Sequence, residues 1–325
     1  MFIVYVFLLV IGFVALIKGA DWFVDGSSSL AGNFKVPGVI IGLTIVALGT
    51  SAPELAVSTS AALQGANEIA LSNVVGSNIF NLLCVLGICA VIHPLPVENG
   101  ILKRDFPVSI ATTALVLLMT CSGAVLSGSF LRGNMEGIAG NVSKVTGIVL
   151  LVIFAAYIIF LIYDAKKNPS KEETGELLPL CKCFLLIVIG LVLIIAGGQA
   201  VVYSAKAIAA ALGMTETLIG LTIVAIGTSL PELVTSIVAA RKGEAGLAVG
   251  NVVGSNIFNL LFILGISSAI HPIAVNIASV YDMMILLVVS ILTFGFSWKG
   301  KTIGRPEGIF MILIYIADMI FAAMR

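Results

Sequence analysis

The chain has 325 residues, 59% of them apolar and only 10% charged, with a mean hydropathy of +1.16. Ordinary globular domains hold about 45–50% apolar and about 25% charged residues, so a soluble fold is excluded. Seventeen basic residues balance seventeen acidic ones, which leaves no electrostatic footprint for nucleic acid.

Uncharged runs and polar punctuation predict ten helices, in chain order over roughly 2–24, 36–63, 68–92, 104–122, 144–163, 181–205, 214–240, 245–270, 281–298 and 306–324. The runs 69–97, 106–131, 145–163, 183–205 and 245–281 carry no acid, Lys or Arg and are long enough to cross a bilayer, which takes about 20 residues. The N-terminal MFIVYVFLLVIGFVALIKGAD lacks a positive n-region and an A-x-A site, so it reads as a retained helix. The segment 123–143 is too rich in Gly, Ser and Asn for a span. The stretch DAKKNPSKEETGELLPL (164–180) reads as a solvated linker. Five cysteines, Cys84, Cys89, Cys121, Cys181 and Cys183, have no zinc spacing and read as ordinary membrane or boundary residues.

The chain is one unit written twice. GLTIVALGTSAPEL (42–55) returns as GLTIVAIGTSLPEL (220–233), an offset of 178. NVVGSNIFNLL (73–83) recurs unchanged at 251–261, and residues 42–88 share 31 of 47 positions with 220–266 without a gap. His93-Pro94 recurs as His271-Pro272, read as helix termination, and Gly19 matches Gly197. Five helices per half is an odd number, so the second copy enters the membrane from the opposite side. The predicted domains are a first inverted repeat (1–163, helices 1–5), a cytoplasmic linker (164–180) and a second inverted repeat (181–325, helices 6–10). Such repeats commonly place an ion site near the midplane where the halves meet. Loops after the odd helices hold thirteen of the seventeen Lys and Arg residues, which puts the linker in the cytoplasm and both termini outside.

Glu54 and Glu232 lie about halfway along uncharged helices, in the symmetric sequence G-T-S-x-P-E. A carboxylate at the bilayer centre costs at least about 2.5–3.5 kcal/mol unless compensated. No predicted helix carries a mid-span Lys or Arg to neutralise it, so each needs an external cation or a proton. Thr50 shares a helix face with Glu54, and Ser51 lies beside them. Pro53 must break or kink the helix, with Gly49 easing it, and frees carbonyls from Ala47 to Thr50 as ligands. Ala225, Gly227, Thr228, Ser229 and Pro231 repeat this arrangement around Glu232. Ser77 and Asn81 share a face, with Gly76 as a weak point, and Ser255, Asn259 and Gly254 are their twins. Asn73, Asn78, Asn251 and Asn256 rank lower, on neighbouring faces. Ser58 and Ser236 stay open between packing and ligation. Asp21 and Asp318 read as solvated near helix ends. An all-oxygen set without His or Cys suits hard cations such as Ca2+ or Na+.

These doubled blocks, G-T-S-x-P-E and G-S-N-I-x-N, resemble the two alpha-repeats of the sodium/calcium exchanger family, prokaryotic type, within the cation/calcium antiporter superfamily. The resemblance implies an antiporter moving Ca2+ against Na+ in the plasma membrane (the inner membrane of a Gram-negative cell). Such a protein would not be an enzyme, would use no cofactor beyond the transported ions, and is expected to need no obligate protein partner. It further implies that Glu54 and Glu232 bind Ca2+ and share in Na+ sites, with the backbone oxygens of Thr50 and Thr228 completing the Ca2+ site. Ala47, Ser51 and Ser77 would serve one peripheral Na+ site, and Ala225, Ser229 and Ser255 its mirror. Asn81 and Asn259 would border a central site, and helices 1 and 6 would slide as a pair across the other eight. Several relatives carry Asp at the position of Asn259, potassium-dependent ones among them, so Asn here argues against potassium co-transport. The alternatives are a proton-coupled calcium antiporter, whose relatives show G-N-x-x-E instead, and a cation channel, which more often assembles from several chains. An intramembrane acid protease would need aspartates in a G-x-G-D setting, which the chain lacks.

Overall fold

In hydrocarbon every backbone N–H and C=O must find a partner within the protein, so long apolar runs fold as helices. The computed structural model describes residues 2–65, 67–127, 135–169, 177–213 and 225–324. In chain order the helices are α1 (Phe2–Phe34), α2 (Gly38–Thr50), α3 (Ala52–Leu63), α4 (67–92), α5 (101–127) and α6 (Lys144–Lys167). They continue with α7 (Leu180–Ala211), α8 (Ala225–Thr228), α9 (Leu230–Arg241), α10 (Ala245–Ile270), α11 (Ile277–Trp298) and α12 (Arg305–Met324). Among the described residues eight helices are long and apolar enough to cross a membrane, and nine if the bent pair α2–α3 counts as one span. The molecule is therefore an all-helical, multi-pass membrane protein. The first residues of the predicted helix 214–240, the middle of the linker and part of 123–143 lie outside the described residues.

Several helices outrun their predicted ends because charges that looked terminal find partners. Asp21 and Asp25 sit inside α1, where Lys242 Nζ lies 3.2 Å from Asp21 Oδ1 and 2.7 Å from Asp25 Oδ1. Asp21 is thus not a residue of a helix end. Helix α5 begins at Ile101, before its charged pair. There the fully buried Asp105 takes Arg104 Nε at 2.7 Å and the Tyr157 hydroxyl at 2.9 Å. Helix α11 starts at Ile277, four residues early, because Asn276 caps it by accepting the Ser279 amide at 2.8 Å. Helices α4 and α10 end at Ile92 and Ile270, and His93 and His271 follow in extended conformation before their prolines, as the sequence predicts.

Among the described residues four short strands tie loops together. β1 (Leu95–Pro96) pairs antiparallel with β4 (Thr302–Ile303), and β2 (Ile138–Val142) with β3 (Ile273–Asn276). Helices α10 and α4 fill the centre, with 94% and 72% of their spanning windows buried, while α1 and α12 show most of theirs outward. The outward residues are large and apolar, among them Phe7, Val14, Leu313 and Ile320, which is the surface lipid requires.

Helices α1 and α7 pack along each other through glycine. A Cβ on Gly19 would stand 2.7 Å from the Gly190 carbonyl oxygen, and one on Gly197 would stand 2.7 Å from that of Gly12. Small residues at such crossings let two backbones approach without a hydrophobic driving force, which lipid does not supply.

Candidate cation site

The motif G-T-S-x-P-E folds as a broken helix. Helix α2 ends at Thr50, Ser51 turns the chain at φ −82° and ψ 10°, and α3 leaves at 50°. Pro53 falls in the first turn of α3, where its missing N–H costs nothing, and Glu54 follows it. The break therefore puts a carboxylate at the positive end of one half-helix, beside the carbonyl end of the other. The second copy repeats this, with Ser229 at φ −92° and ψ 9° and Glu232 in the first turn of α9.

A serine before a helix usually caps it with its own hydroxyl. Here neither serine makes a side-chain cap. Ser51 Oγ donates instead to Glu232 Oε1 at 2.8 Å, and Ser229 Oγ to Glu54 Oε1 at 2.9 Å. Each glutamate thus takes a hydroxyl from the opposite half of the chain. Ser77 approaches Glu54 Oε1 at 3.4 Å and Ser255 approaches Glu232 Oε1 at 3.5 Å, both weaker contacts from the same half. Both carboxylates are fully buried, and Glu54 Oε2 and Glu232 Oε2 have no hydrogen-bond partner among the described residues. An unpaired, fully buried carboxylate oxygen is costly, and no Lys or Arg nitrogen lies within 4 Å of either carboxylate among the described residues.

Asparagines ranked lower on sequence grounds brace this arrangement. Asn73 Nδ2 donates to Ser58 Oγ at 2.9 Å and to the Glu54 carbonyl at 3.3 Å. Its twin Asn251 bonds Ser236 at 2.9 Å and the Glu232 carbonyl at 3.5 Å. Ser58 and Ser236 thus each accept a hydrogen bond from one of these amides. Thr50 Oγ1 donates to Asn251 Oδ1 at 3.0 Å, whereas Thr228 Oγ1 has no partner among the described residues. Ala47 is buried, and its carbonyl takes the Ser51 amide at 3.0 Å and the Thr50 hydroxyl at 3.4 Å. Ala225 opens α8, and its side chain lies outside the described residues.

Asn81 and Asn259 each begin a π-helical turn, Asn81–Val85 and Asn259–Ile263. Such turns insert one residue into a helix and recur at functional sites. The irregularity thus falls at the asparagine and not at Gly76 or Gly254, through which the helices pass unbroken. Asn78 and Asn256 stand three residues before Asn81 and Asn259 on regular α-helix, so each lies close to the same helix face as its neighbour.

A cavity of about 140 Å3 lies between α7, α3 and α9, lined by Pro53, Val57, Gln199, Lys206, Thr228 and Pro231. At the other end of α7, near Cys183, α1 packs onto α9 and the Lys242 clamp bridges them.

The sodium/calcium exchanger protein family matches residues 4–163 and 182–324. The chain belongs to the sodium/calcium exchanger family. Its activity is the family's, Na+/Ca2+ antiport. The putative antiporter CaxA of Alkalimonas amylolytica is 38% identical over 97% of this exchanger and 97% of its own length. The sodium/calcium exchanger MaX1 of Methanosarcina acetivorans is 31% identical over 96% of this chain and 97% of its own. A structure of the sodium-calcium exchanger NCX_Mj, soaked with Na+ and Sr2+, superposes with a TM-score of 0.82 at 32% identity, covering 98% of both chains.

Proposed function

We propose that this exchanger carries Na+ and Ca2+ alternately through one midplane site centred on Glu54 and Glu232, between two inverted repeats of five helices each. The carrying observation is the crossed pair Ser51–Glu232 and Ser229–Glu54, which leaves a second oxygen of each buried carboxylate without a partner. Two such carboxylates balance one Ca2+ or share several Na+. Thr50, Thr228, Ser51, Ser229, Ser77, Ser255, Asn81, Asn259 and the carbonyls of Ala47 and Ala225 supply the remaining oxygens. The ions are cargo, so the protein works without a cofactor, as a transporter and not an enzyme.

The repeats run 1–163 and 181–325, joined by the linker 164–180, with α2–α3 and α8–α9 as matching broken spans. The strand pairs support this plan. β1 and β3 stand 178 residues apart, and each pairs with a loop of the opposite half. With the linker cytoplasmic and both termini outside the plasma membrane, the cavity beside Lys206 faces outward and the Lys242 clamp closes the inner face. Movement of α1 with α7 across the other helices would exchange these roles. Exposed ion pairs contribute about 0–1 kcal/mol, so Lys242→Gln should shift the outward-to-inward population by no more than about fivefold. A spin-label distance between α1 and α9 reads that shift.

The test is radioactive calcium uptake into proteoliposomes loaded with Na+ and diluted into Na+-free buffer. Uptake should need the outward Na+ gradient. Uptake that follows an imposed pH gradient and ignores Na+ would favour the proton-coupled alternative.

A further inference from the structure

Asn78 and Asn256 face each other across the pseudo-twofold axis and are both fully buried. Asn78 Nδ2 lies 3.1 Å from the Asn256 backbone oxygen, and Asn256 Nδ2 lies 3.2 Å from the Asn78 backbone oxygen. A backbone carbonyl can only accept, so the atom facing it must be the amide NH2 in each case. That fixes both amides without appeal to how oxygen and nitrogen were assigned. The side-chain oxygens then point the other way. Asn78 Oδ1 accepts from Asn259 Nδ2 at 3.0 Å, and Asn256 Oδ1 accepts from Asn81 Nδ2 at 3.2 Å.

The relay settles the last pair of amides in turn. With their NH2 groups held, Asn81 and Asn259 present Oδ1 on the free side, and both oxygens are buried without a partner among the described residues. A rotated amide would put a positive NH2 edge where an oxygen now stands and would repel a cation there. Each orienting contact comes from the opposite repeat: Asn78 sets Asn259, and Asn256 sets Asn81.

We propose that Asn78 and Asn256 are positioning residues that hold the amide oxygens of Asn259 and Asn81 toward the transported cation. The proposal rests on reading Asn81 and Asn259 as site residues. It adds that cation affinity depends on two asparagines that need not touch the ion. It also makes the pair a reason for this site to keep a G-S-N-x-x-N spacing in both halves: the first asparagine of one half reads the second asparagine of the other.

A double-mutant cycle on the intact exchanger in proteoliposomes tests this, reading the half-saturating internal Na+ for calcium uptake. Removing a partner that orients a ligand typically lowers metal affinity by about 10–100-fold, so Asn78→Ala should raise half-saturating Na+ at least about tenfold. Asn259→Ala should do the same. In the Asn259→Ala background, Asn78→Ala should then add nearly nothing, because no amide remains to orient. An equal further loss in that background would make Asn78 a packing residue and overturn the proposal. An unchanged affinity in Asn259→Ala alone would instead remove Asn259 from the site, a failure of the underlying reading. The mirror cycle, Asn256→Ala with Asn81→Ala, repeats the test should Asn78→Ala not fold.

Discussion

Glu54→Gln should abolish Na+-driven calcium uptake while leaving the protein folded. Gln keeps the shape of Glu and an oxygen that can accept the Ser229 hydroxyl, which now meets Glu54 at 2.9 Å. What disappears is the charge. At an effective dielectric of about 20, a divalent ion about 4 Å from one negative charge gains roughly 8 kcal/mol. Stripping water from the ion takes part of that. Even half, about 4 kcal/mol, is a loss of about a thousandfold in affinity. The Glu232→Gln change should match it, because the two carboxylates have equivalent surroundings. Equilibrium calcium binding to the purified variants checks the claim alongside uptake. Near-normal uptake in both variants would remove the carboxylates from the transport site.

The second large effect lies far from the charges. Gly19→Val places a Cβ 2.7 Å from the Gly190 carbonyl oxygen and 2.9 Å from the Ile194 amide nitrogen, both backbone atoms that cannot swing aside. Helices α1 and α7 must then separate. Overpacking costs about 1–3 kcal/mol. If α1 and α7 move as one unit, their contact is the same in the ground state and at the top of the transport barrier, so this cost should fall on folding, lowering the midpoint of thermal unfolding by several degrees while exchange stays within about threefold of the parental rate. Calcium binding at equilibrium should stay within about threefold of the parent, because Gly19 touches no site residue. Exchange slowed about a hundredfold would mean that the α1–α7 contact is remade during the transport cycle.

Much of the fold can be read from hydropathy because a bilayer leaves so few options. An uncharged run of sufficient length must be a helix, and its paired backbone needs no help from the rest of the fold. What the pattern does not carry is where those helices stop. Asp21, Asp25, Arg104 and Asp105 look like span ends when each is taken as a bare charge. Their partners Lys242 and Tyr157 lie 217 to 221 and 52 residues away, and only tertiary structure brings them close.

The site divides along the same line. Glu54 and Glu232 are legible because a mid-membrane acid needs compensation, and Pro53 and Pro231 because proline breaks a helix. The crossing of hydroxyls between halves is not, since Ser51 to Glu232 spans 181 residues. Nor are the roles of Asn73, Asn78, Asn251 and Asn256. Their partners lie on other helices: Asn73 reaches the Glu54 carbonyl 19 residues away, and Asn78 and Asn256 meet across 178 residues.

The most direct test of the account is equilibrium calcium binding to the purified exchanger at rising Na+ concentration. If both ions use the carboxylates of Glu54 and Glu232, Na+ should displace calcium completely. The apparent calcium Kd should climb without limit, with a slope steeper than one on logarithmic axes, because several Na+ replace one Ca2+. A Kd that levels off, with calcium still bound at saturating Na+, would place the two ions at separate sites and contradict the shared pair of glutamates.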